Sequence, residues 1–207
     1  MSAFNGIGRL RALFTHTIRN TWIDLHYGHL LLGMRRSRYT HLGARSSSNS
    51  DYEVLEYIFK GRIKPDDILV DVGCGKGRVL NCWLHMGFRN RIYGLEYETD
   101  LVAQIQQRLG RYPNVKVIAG DALANLPPDA TLFYLFNPFT EPVTVAFKQR
   151  LVEVYGARGN ITVLYYNCVF LHVFQNDPRW EIEKIEMPQP RGYMYQPLSV
   201  IRMRSPV

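Results

Sequence analysis

One short stretch of the sequence has the residue types of a small-molecule site. Asp71 follows an apolar run and begins the pattern D-x-G-x-G-x-G, in which every second residue is a glycine: Gly73, Gly75 and Gly77. Glycines let the backbone adopt positive φ and let a ligand approach it closely. Residues 78–86 have the composition of a helix, and the free N–H groups and dipole at a helix start favour an anionic group. Residues 71–77, here named the glycine cradle, therefore predict a binding site between a strand and a helix.

Three further polar residues follow apolar runs that predict strands. Glu96 ends the run that starts at Arg91, Asp121 follows residues 115–119, and Asn137 follows residues 131–136. Ligands of open α/β sheets bind outside the carboxyl ends of the strands. We therefore expect these residues to gather around the glycine cradle although they are far apart in sequence.

The third glycine position separates two kinds of ligand. A dinucleotide fingerprint counted from Gly73 needs its third glycine at position 78, which is Arg78. The pattern from Asp71 to Gly77 instead resembles the first motif of class I S-adenosylmethionine-dependent methyltransferases. Glu96 lies 21 residues after Gly75, a spacing that serves either ligand. The alternative enzyme is a nucleotide-dependent oxidoreductase, and Arg78 argues against it.

The resemblance implies a cofactor, S-adenosyl-L-methionine, and no metal. It implies that the cradle passes under the methionine part and that Glu96 accepts hydrogen bonds from both ribose hydroxyls, with Tyr97 against the adenine face. Asp121 would accept from the adenine amino group, and the backbone N–H of Ala122 would meet a ring nitrogen. The expected cofactor-binding residues are Asp71, Gly73, Cys74, Gly75, Gly77, Glu96, Tyr97, Asp121, Ala122 and Asn137.

The expected reaction is methyl transfer to an acceptor that the sequence does not identify. Some nitrogen methyltransferases carry Asn-Pro-Pro-aromatic after the fourth strand. Here Asn137-Pro138-Phe139 has one proline and an early aromatic residue, so amine chemistry does not follow. No catalytic base is evident, and Asn137 is the nearest candidate for a catalytic role. Further candidates for the acceptor pocket are Tyr165, Tyr166 and Asn167 from the fifth strand, and Tyr39, His41 and Tyr52 from the N-terminal side.

The alternation of apolar runs predicts an α/β fold. Strand and helix patterns alternate as far as residue 166, and two consecutive strand patterns follow, at 180–186 and 198–203. Strands without a crossover helix pair antiparallel. We expect a doubly wound, Rossmann-like methyltransferase sheet of about seven mostly parallel strands, with a C-terminal antiparallel hairpin and an N-terminal helical extension.

Charge divides the chain of 207 residues. Residues 1–45 hold seven arginines and one acid, Asp24, whereas the remainder has 18 basic and 17 acidic residues. We therefore expect a basic amphipathic extension over 1–45 and a methyltransferase domain over 46–207. Apolar residues recur at helical spacing along the extension: Ile7, Leu10, Phe14, Ile18, Trp22 and Leu25.

Three roles compete for residues 1–45: packing on the domain or on a second copy as a homodimer, binding to an anionic membrane surface, or organellar targeting. RNA is a further candidate partner. We expect the extension to serve the acceptor and not the cofactor. The three cysteines match no zinc pattern and favour a cytoplasmic protein, soluble or peripheral at a membrane. A methyltransferase-like binding protein without catalysis is the remaining alternative.

Overall fold

A computed structural model describes residues 16–34, 36–45, 49–188 and 195–204 of the chain. The residues Ile7, Leu10 and Phe14 of the expected amphipathic pattern lie outside this part. Residues 16–26 form helix α1. The other helices are α2 (Tyr52–Phe59), α3 (Arg78–His85), α4 (Thr99–Leu109) and α5 (Glu141–Tyr155), with short 3-10 turns at Thr40–Leu42 and Leu171–Val173. The strands are β1 (Ile68–Val72), β2 (Arg91–Glu96), β3 (Val115–Ala119), β4 (Leu132–Phe136), β5 (Thr162–Tyr166), β6 (Trp180–Ile185) and β7 (Leu198–Met203).

The strands form one seven-stranded sheet in the order β3-β2-β1-β4-β5-β7-β6. Strands β1 to β5 pair in parallel, and β7 pairs antiparallel with both β5 and β6. The expected fold class, a mostly parallel Rossmann-like sheet ending in an antiparallel hairpin, is confirmed. The chain reverses direction in sheet order between β1 and β4, which brings the carboxyl ends of β1, β2 and β4 to one crevice.

Both faces of the sheet are covered, because alternate strand residues point to opposite sides. Leu69 packs in a core with α2, α3 and α4, whereas its neighbour Val70 packs in a second core with α5. Strand β1 is buried along its whole length, as expected for a central parallel strand. The site at its carboxyl end is therefore built on a fully buried central strand.

Helix α1 is part of the first core. Ile23 and Tyr27 are buried there, and the Asp24 carboxylate is completely buried against Arg78 of α3, with 2.5 Å between Oδ2 and Nη2. The side chain of Asn20 caps α2 by accepting a hydrogen bond from the N–H of Tyr52. The N-cap residue itself is Asp51, whose side chain makes no capping hydrogen bond. The division of the chain after residue 45 stays a prediction.

Among the helices within the described ranges, none is both long enough and apolar enough to cross a bilayer.

Candidate functional site

The glycine cradle has the backbone that its sequence predicts. Gly73, Gly75 and Gly77 all have positive φ, at 72°, 54° and 81°, a region that costs other residues energy. Space is also restricted, because a Cβ on Gly73 would lie 3.0 Å from the Cβ of Pro138 after β4. The alternating glycines therefore serve the turn from β1 into α3 and its close approach to the neighbouring strand end.

Glu96 connects the cradle to the end of β2. Its Oε2 accepts a hydrogen bond of 2.7 Å from the N–H of Gly75, and its Oε1 accepts one of 3.0 Å from the N–H of Glu98. Burial raises the pKa of Glu96, and these backbone donors oppose the rise. Each carboxylate oxygen can accept a second hydrogen bond, so Glu96 can hold the cradle and still accept from a ligand.

A cavity opens between the cradle and the ends of β2, β3 and β4. Most of the expected cofactor-binding residues line it, and Gly75, Gly77 and Asn137 are not in its wall. The lining residues from the sheet side are Asp71, Gly73, Cys74, Leu95, Glu96, Tyr97, Glu98, Gly120, Asp121, Ala122, Tyr134, Phe136, Pro138 and Phe139; Arg78, Val79, Leu101 and Val143 come from the helices, and Ser37, Leu42, Ala44, Arg45, Asn49 and Ser50 come from the N-terminal side.

Asp71 lies at the bottom of this cavity with an unsatisfied oxygen. It is 3% exposed, and its Oδ2 has no hydrogen-bond partner. Burial, and secondly the nearby charge of Glu96, raise the pKa of Asp71 well above its usual range. A buried carboxyl in this state gains energy from a cationic ligand, because the cation supplies both charge and hydrogen bonds.

A segment of the N-terminal region, residues 36–45, crosses the cavity mouth and is here named the strap. The N–H of Arg38 donates to Glu98 Oε1 at 2.8 Å, and the Tyr39 ring contacts Tyr97 with 4.3 Å between centroids. At the other end Ala44 pairs with Phe139 as an isolated β-bridge. The strap thus joins the end of β2 to the segment after β4.

These contacts overturn one expectation. Glu98, which the sequence predicts to be a solvent-exposed neighbour of Glu96, is only 3% exposed and is bound by the strap. Ser37 and Arg45 line the same cavity as Glu96, and the expectation that residues 1–45 serve the acceptor and not the cofactor stays a prediction. The sequence placed Tyr39 and His41 of the strap near the acceptor pocket but did not indicate its anchors, because these are largely backbone groups.

Asp121 and Asn137 differ in how they present their side chains. Asp121 is exposed at the cavity edge, and its Oδ1 accepts from the N–H of Leu123 at 3.0 Å. Asn137 is buried with φ of 44°, and its Oδ1 accepts from the hydroxyl of Tyr165 at 3.3 Å. Asn137 therefore braces the loop that carries Pro138 to the cavity, and its catalytic role stays a prediction.

The other tentative acceptor-side residues have different surroundings. Tyr166 is bound through its hydroxyl by the N–H of Gln196, and Asn167 forms a left-handed turn after β5. His41 is exposed, and Tyr52 is buried with its hydroxyl donating to Asp24. None of these four is in the cavity wall.

Two arginines that the sequence did not single out for the site hold the cradle to its surroundings. Arg78 bonds Asp24 and also reaches the carbonyl oxygens of Leu31 and Ser50. Arg108 of α4 donates to the carbonyl oxygen of Lys76 at 2.7 Å. Asp24 was a usable signal for the first contact, because a lone acid in a basic segment indicates a specific partner.

Comparison with known proteins agrees with the fold and the cradle. Residues 69–155 match the family model described as "Methyltransferase domain". Ribosomal RNA small subunit methyltransferase A of Thermotoga neapolitana is 29% identical over 106 residues, which are 50% of this chain and 39% of that protein. The chain thus spans well under half of this relative.

Solved structures share the fold at low sequence identity. An RNA methyltransferase of Salinibacter ruber, in complex with S-adenosyl-L-homocysteine, aligns with a TM-score of 0.55 at 19% identity, covering 75% of this chain and 92% of that one. A candidate O-methyltransferase of Klebsiella pneumoniae aligns with a TM-score of 0.60 at 11% identity, covering 90% and 89%.

The family match begins at Leu69 in β1 and ends with α5 at Tyr155. It therefore includes the cradle and the ends of β2, β3 and β4, which surround the cavity. The sheet order and the antiparallel β7 complete the same architecture outside the matched residues. Over residues 69–155 the chain is thus similar to a methyltransferase domain, and its sheet has the fold of known methyltransferase structures.

Proposed function

We propose that the protein transfers a methyl group from S-adenosyl-L-methionine to an acceptor molecule. One observation supports this most: acidic residues at the ends of three neighbouring strands, Asp71, Glu96 and Asp121, line a single cavity beside the glycine cradle. The cavity fits the cofactor, because a buried carboxyl oxygen of Asp71 has no hydrogen-bond partner and can bind a cation, and because a Cβ on Gly73 would be in tight contact with Pro138.

The proposed roles follow the position of each residue. The cradle residues Gly73, Cys74, Gly75 and Gly77 would lie along the methionine part, with Asp71 near its ammonium. Glu96 would accept from the ribose hydroxyls, and Tyr97 would contact the adenine ring. Asp121 and the N–H of Ala122 would bind the adenine edge.

When bound, the cofactor supplies an electrophilic methyl group to a nucleophilic atom of the acceptor. The residues of this chain would contribute by orienting the two reactants and excluding water, which can account for much of the rate. The strap and the loop at Pro138 are joined by backbone hydrogen bonds and both line the cavity. Asn137 would position this loop, and no base is assigned.

Thermal unfolding with added ligands tests the cofactor assignment. S-adenosylhomocysteine at 100 times its dissociation constant should stabilise the protein by about 2.7 kcal/mol, which corresponds to roughly 5–11 °C in melting temperature for a chain of this size. NAD and NADP are the matched controls and should have no effect. A shift with either dinucleotide and none with S-adenosylhomocysteine or S-adenosylmethionine would contradict the proposal.

The acceptor classes that remain are RNA, protein, and small or lipid-linked molecules. The relatives named above include RNA methyltransferases, which makes RNA a first class to test. Transfer of labelled methyl groups to fractionated cell extract identifies the class directly. Cofactor binding with no label in any fraction would support the alternative, a binding protein without catalysis.

We further propose that helix α1 attaches the protein to an anionic membrane surface. Ile18, Trp22 and Leu25 share one face of the helix and are all more than half exposed, and Leu32 and Met34 are exposed in the segment that follows. An apolar stripe with an interfacial tryptophan is typical of helices that lie on membranes.

The charge of the N-terminal segment favours an anionic membrane surface, and not an apolar protein surface, as the partner of helix α1. Among residues 16–45 the single acid is Asp24, which is completely buried against Arg78. Arg36, Arg38 and Arg45 are exposed in the same segment. Each basic residue near an anionic surface contributes about 1 kcal/mol of attraction.

The fluorescence of Trp22 can report the binding of helix α1 to lipid vesicles. Trp22 is 59% exposed, whereas the other two tryptophans, Trp83 and Trp180, are 0% and 4% exposed. Vesicles containing phosphatidylglycerol should shift tryptophan emission to the blue, and brominated lipid should quench it. Vesicles of phosphatidylcholine alone should do so much less, and added salt should weaken the effect.

The double variant Ile18→Ser/Leu25→Ser keeps the reporter and should reduce vesicle binding several-fold. Val169→Ser, at an exposed apolar residue of another surface, is the control and should not. Quenching by a soluble quencher should show Trp22 accessible before lipid is added. Protection that depends on protein concentration would indicate a second copy on this face, and protection by RNA without vesicles would indicate RNA; either result would overturn the membrane assignment.

A further inference from the structure

We propose that Tyr134 and Ser50, together with Asp71, form a subsite for the ammonium group of the cofactor's amino-acid part. This inference rests on the proposed function and adds two residues that neither the glycine pattern nor the strand-end acids indicated. The three side chains come from three separate segments: Asp71 from β1, Tyr134 from β4 and Ser50 from the residues before α2.

The register of strands β1 and β4 places Asp71 beside Tyr134. The two residues are direct partners in the parallel pair of β1 and β4, so their side chains stand on the same face of the sheet. They are 3% and 1% exposed, and both line the cavity. Ser50, from the segment before α2, lines the cavity as well and lies near Tyr134.

Each of the three side chains has a buried oxygen without a hydrogen-bond partner: Asp71 Oδ2, the Tyr134 hydroxyl and Ser50 Oγ. Burial and secondly the charge of Asp71 raise the pKa of Tyr134, and the nearby Ser50 hydroxyl opposes the rise, although neither hydroxyl completes a hydrogen bond to the other. Leaving a buried polar group unsatisfied costs about 1–3 kcal/mol. Three such atoms in one cavity indicate a polar ligand that completes them.

The chemistry of this group selects a cation with several N–H donors. A carboxylate and two hydroxyl oxygens can all accept, and a primary ammonium has three donors to give. An anion would meet the charge of Asp71 instead. Arg78, which also lines the cavity, is already engaged by Asp24 and by the carbonyl oxygens of Leu31 and Ser50. Within the described ranges, Asp71 makes no ion pair with a basic side chain.

The subsite gives the cavity a means to distinguish ligands that share the adenosine part. S-adenosylhomocysteine carries the ammonium, whereas methylthioadenosine lacks the whole amino-acid part. Hydrogen bonds to charged groups are worth about 1.5–3 kcal/mol each. Removal of one hydroxyl should therefore weaken binding of S-adenosylhomocysteine by roughly 10-fold or more and leave methylthioadenosine within about 3-fold.

The variant Tyr134→Phe tests this in the full chain. Since the hydroxyl it removes has no partner in the free protein, the melting temperature of the free variant should stay equal to the wild type or rise. Calorimetry should show the selective loss for S-adenosylhomocysteine. Ser50→Ala should likewise weaken binding of S-adenosylhomocysteine and leave binding of methylthioadenosine nearly unchanged.

Tyr155→Phe is the matched control. Tyr155 is equally buried, but its hydroxyl donates to the carbonyl oxygen of Pro127 at 2.7 Å on the opposite face of the sheet. This variant should lower the melting temperature and leave both affinities unchanged. A free Tyr134→Phe protein that is destabilised like Tyr155→Phe would contradict the unsatisfied hydroxyl.

The outcomes separate this inference from the proposed function. If the wild type binds neither S-adenosylhomocysteine nor methylthioadenosine, the proposed function fails. If it binds both and Tyr134→Phe changes the two affinities equally, or changes neither, the cavity binds the cofactor but the ammonium subsite is wrong.

Discussion

Asp71 affects the stability of the free protein and the binding of the cofactor in opposite ways. Its pKa is raised in the free protein, chiefly by burial. A raised carboxyl pKa means that the folded state holds the proton longer than the unfolded state does. The contribution of Asp71 to stability therefore falls as pH rises from the ordinary carboxyl pKa, about 4, through the raised value.

We expect the opposite pH dependence for cofactor binding. An ammonium beside Asp71 favours the ionised carboxylate, so binding releases a proton and affinity for S-adenosylhomocysteine increases with pH over the same window. Calorimetry in two buffers with different ionisation heats measures the released proton. Asp71→Asn should abolish this proton release and weaken binding, while Asp66→Asn, in an exposed turn, should behave as the wild type. Proton release that persists in Asp71→Asn would assign it to another group.

At the scale of elements, the sequence predicts what depends on periodicity and end signals. Helices α4 and α5, at Thr99–Leu109 and Glu141–Tyr155, each end immediately before a glycine, Gly110 and Gly156. The polar strand ends were equally visible, because Glu96 and Asn137 stop continuous apolar runs. These features depend on residues close together in the chain, so each segment by itself is enough to predict them.

Helix α1 shows why other elements could not be predicted fully. The spacing of Ile18, Trp22 and Leu25 marks one apolar face, but that face is exposed, and Ile23 and Tyr27 pack in the core. The burial of Asp24 against Arg78 fixes this orientation. Periodicity shows that a helix has an apolar face, yet which face meets the domain depends on a partner 54 residues away.

The contacts of the strap could not be predicted for a different reason. Its contacts with Pro138, Thr140 and Glu98 use the backbone groups of Arg45, Gly43 and Arg38. Every residue has such groups, apart from the missing N–H of proline, so their pairing leaves no mark in the side-chain pattern.

At the scale of the whole molecule, Arg78 joins the N-terminal segment to the methyltransferase sheet. It bonds the carboxylate of Asp24 and the carbonyl oxygens of Leu31 and Ser50, and it is itself the first residue of α3. Residues 16–31 are therefore anchored at the start of the cradle helix. The basic N-terminal segment and the cofactor cavity share this one buried charge pair.

This arrangement predicts that the N-terminal segment cannot be removed without loss of stability. Breaking a buried ion pair by removing one partner costs about 3–5 kcal/mol, because the other charge stays buried. Asp24→Asn should therefore lower the melting temperature by roughly 6–20 °C for a chain of this length. A chain starting at Ser46 also lacks Ile23 and Tyr27 and should lose both its cooperative unfolding transition and its cofactor binding.

Two further variants separate the charge pair from general damage. In Asp24→Asn/Arg78→Met neither charge is left alone, so much of the stability lost in Asp24→Asn should return. Glu183→Gln breaks an exposed pair with Arg202 and should cost at most about 1 kcal/mol. If Asp24→Asn costs no more than Glu183→Gln, or if the chain starting at Ser46 folds and binds S-adenosylhomocysteine normally, the N-terminal segment is an independent appendage and the buried pair does not hold the two parts together.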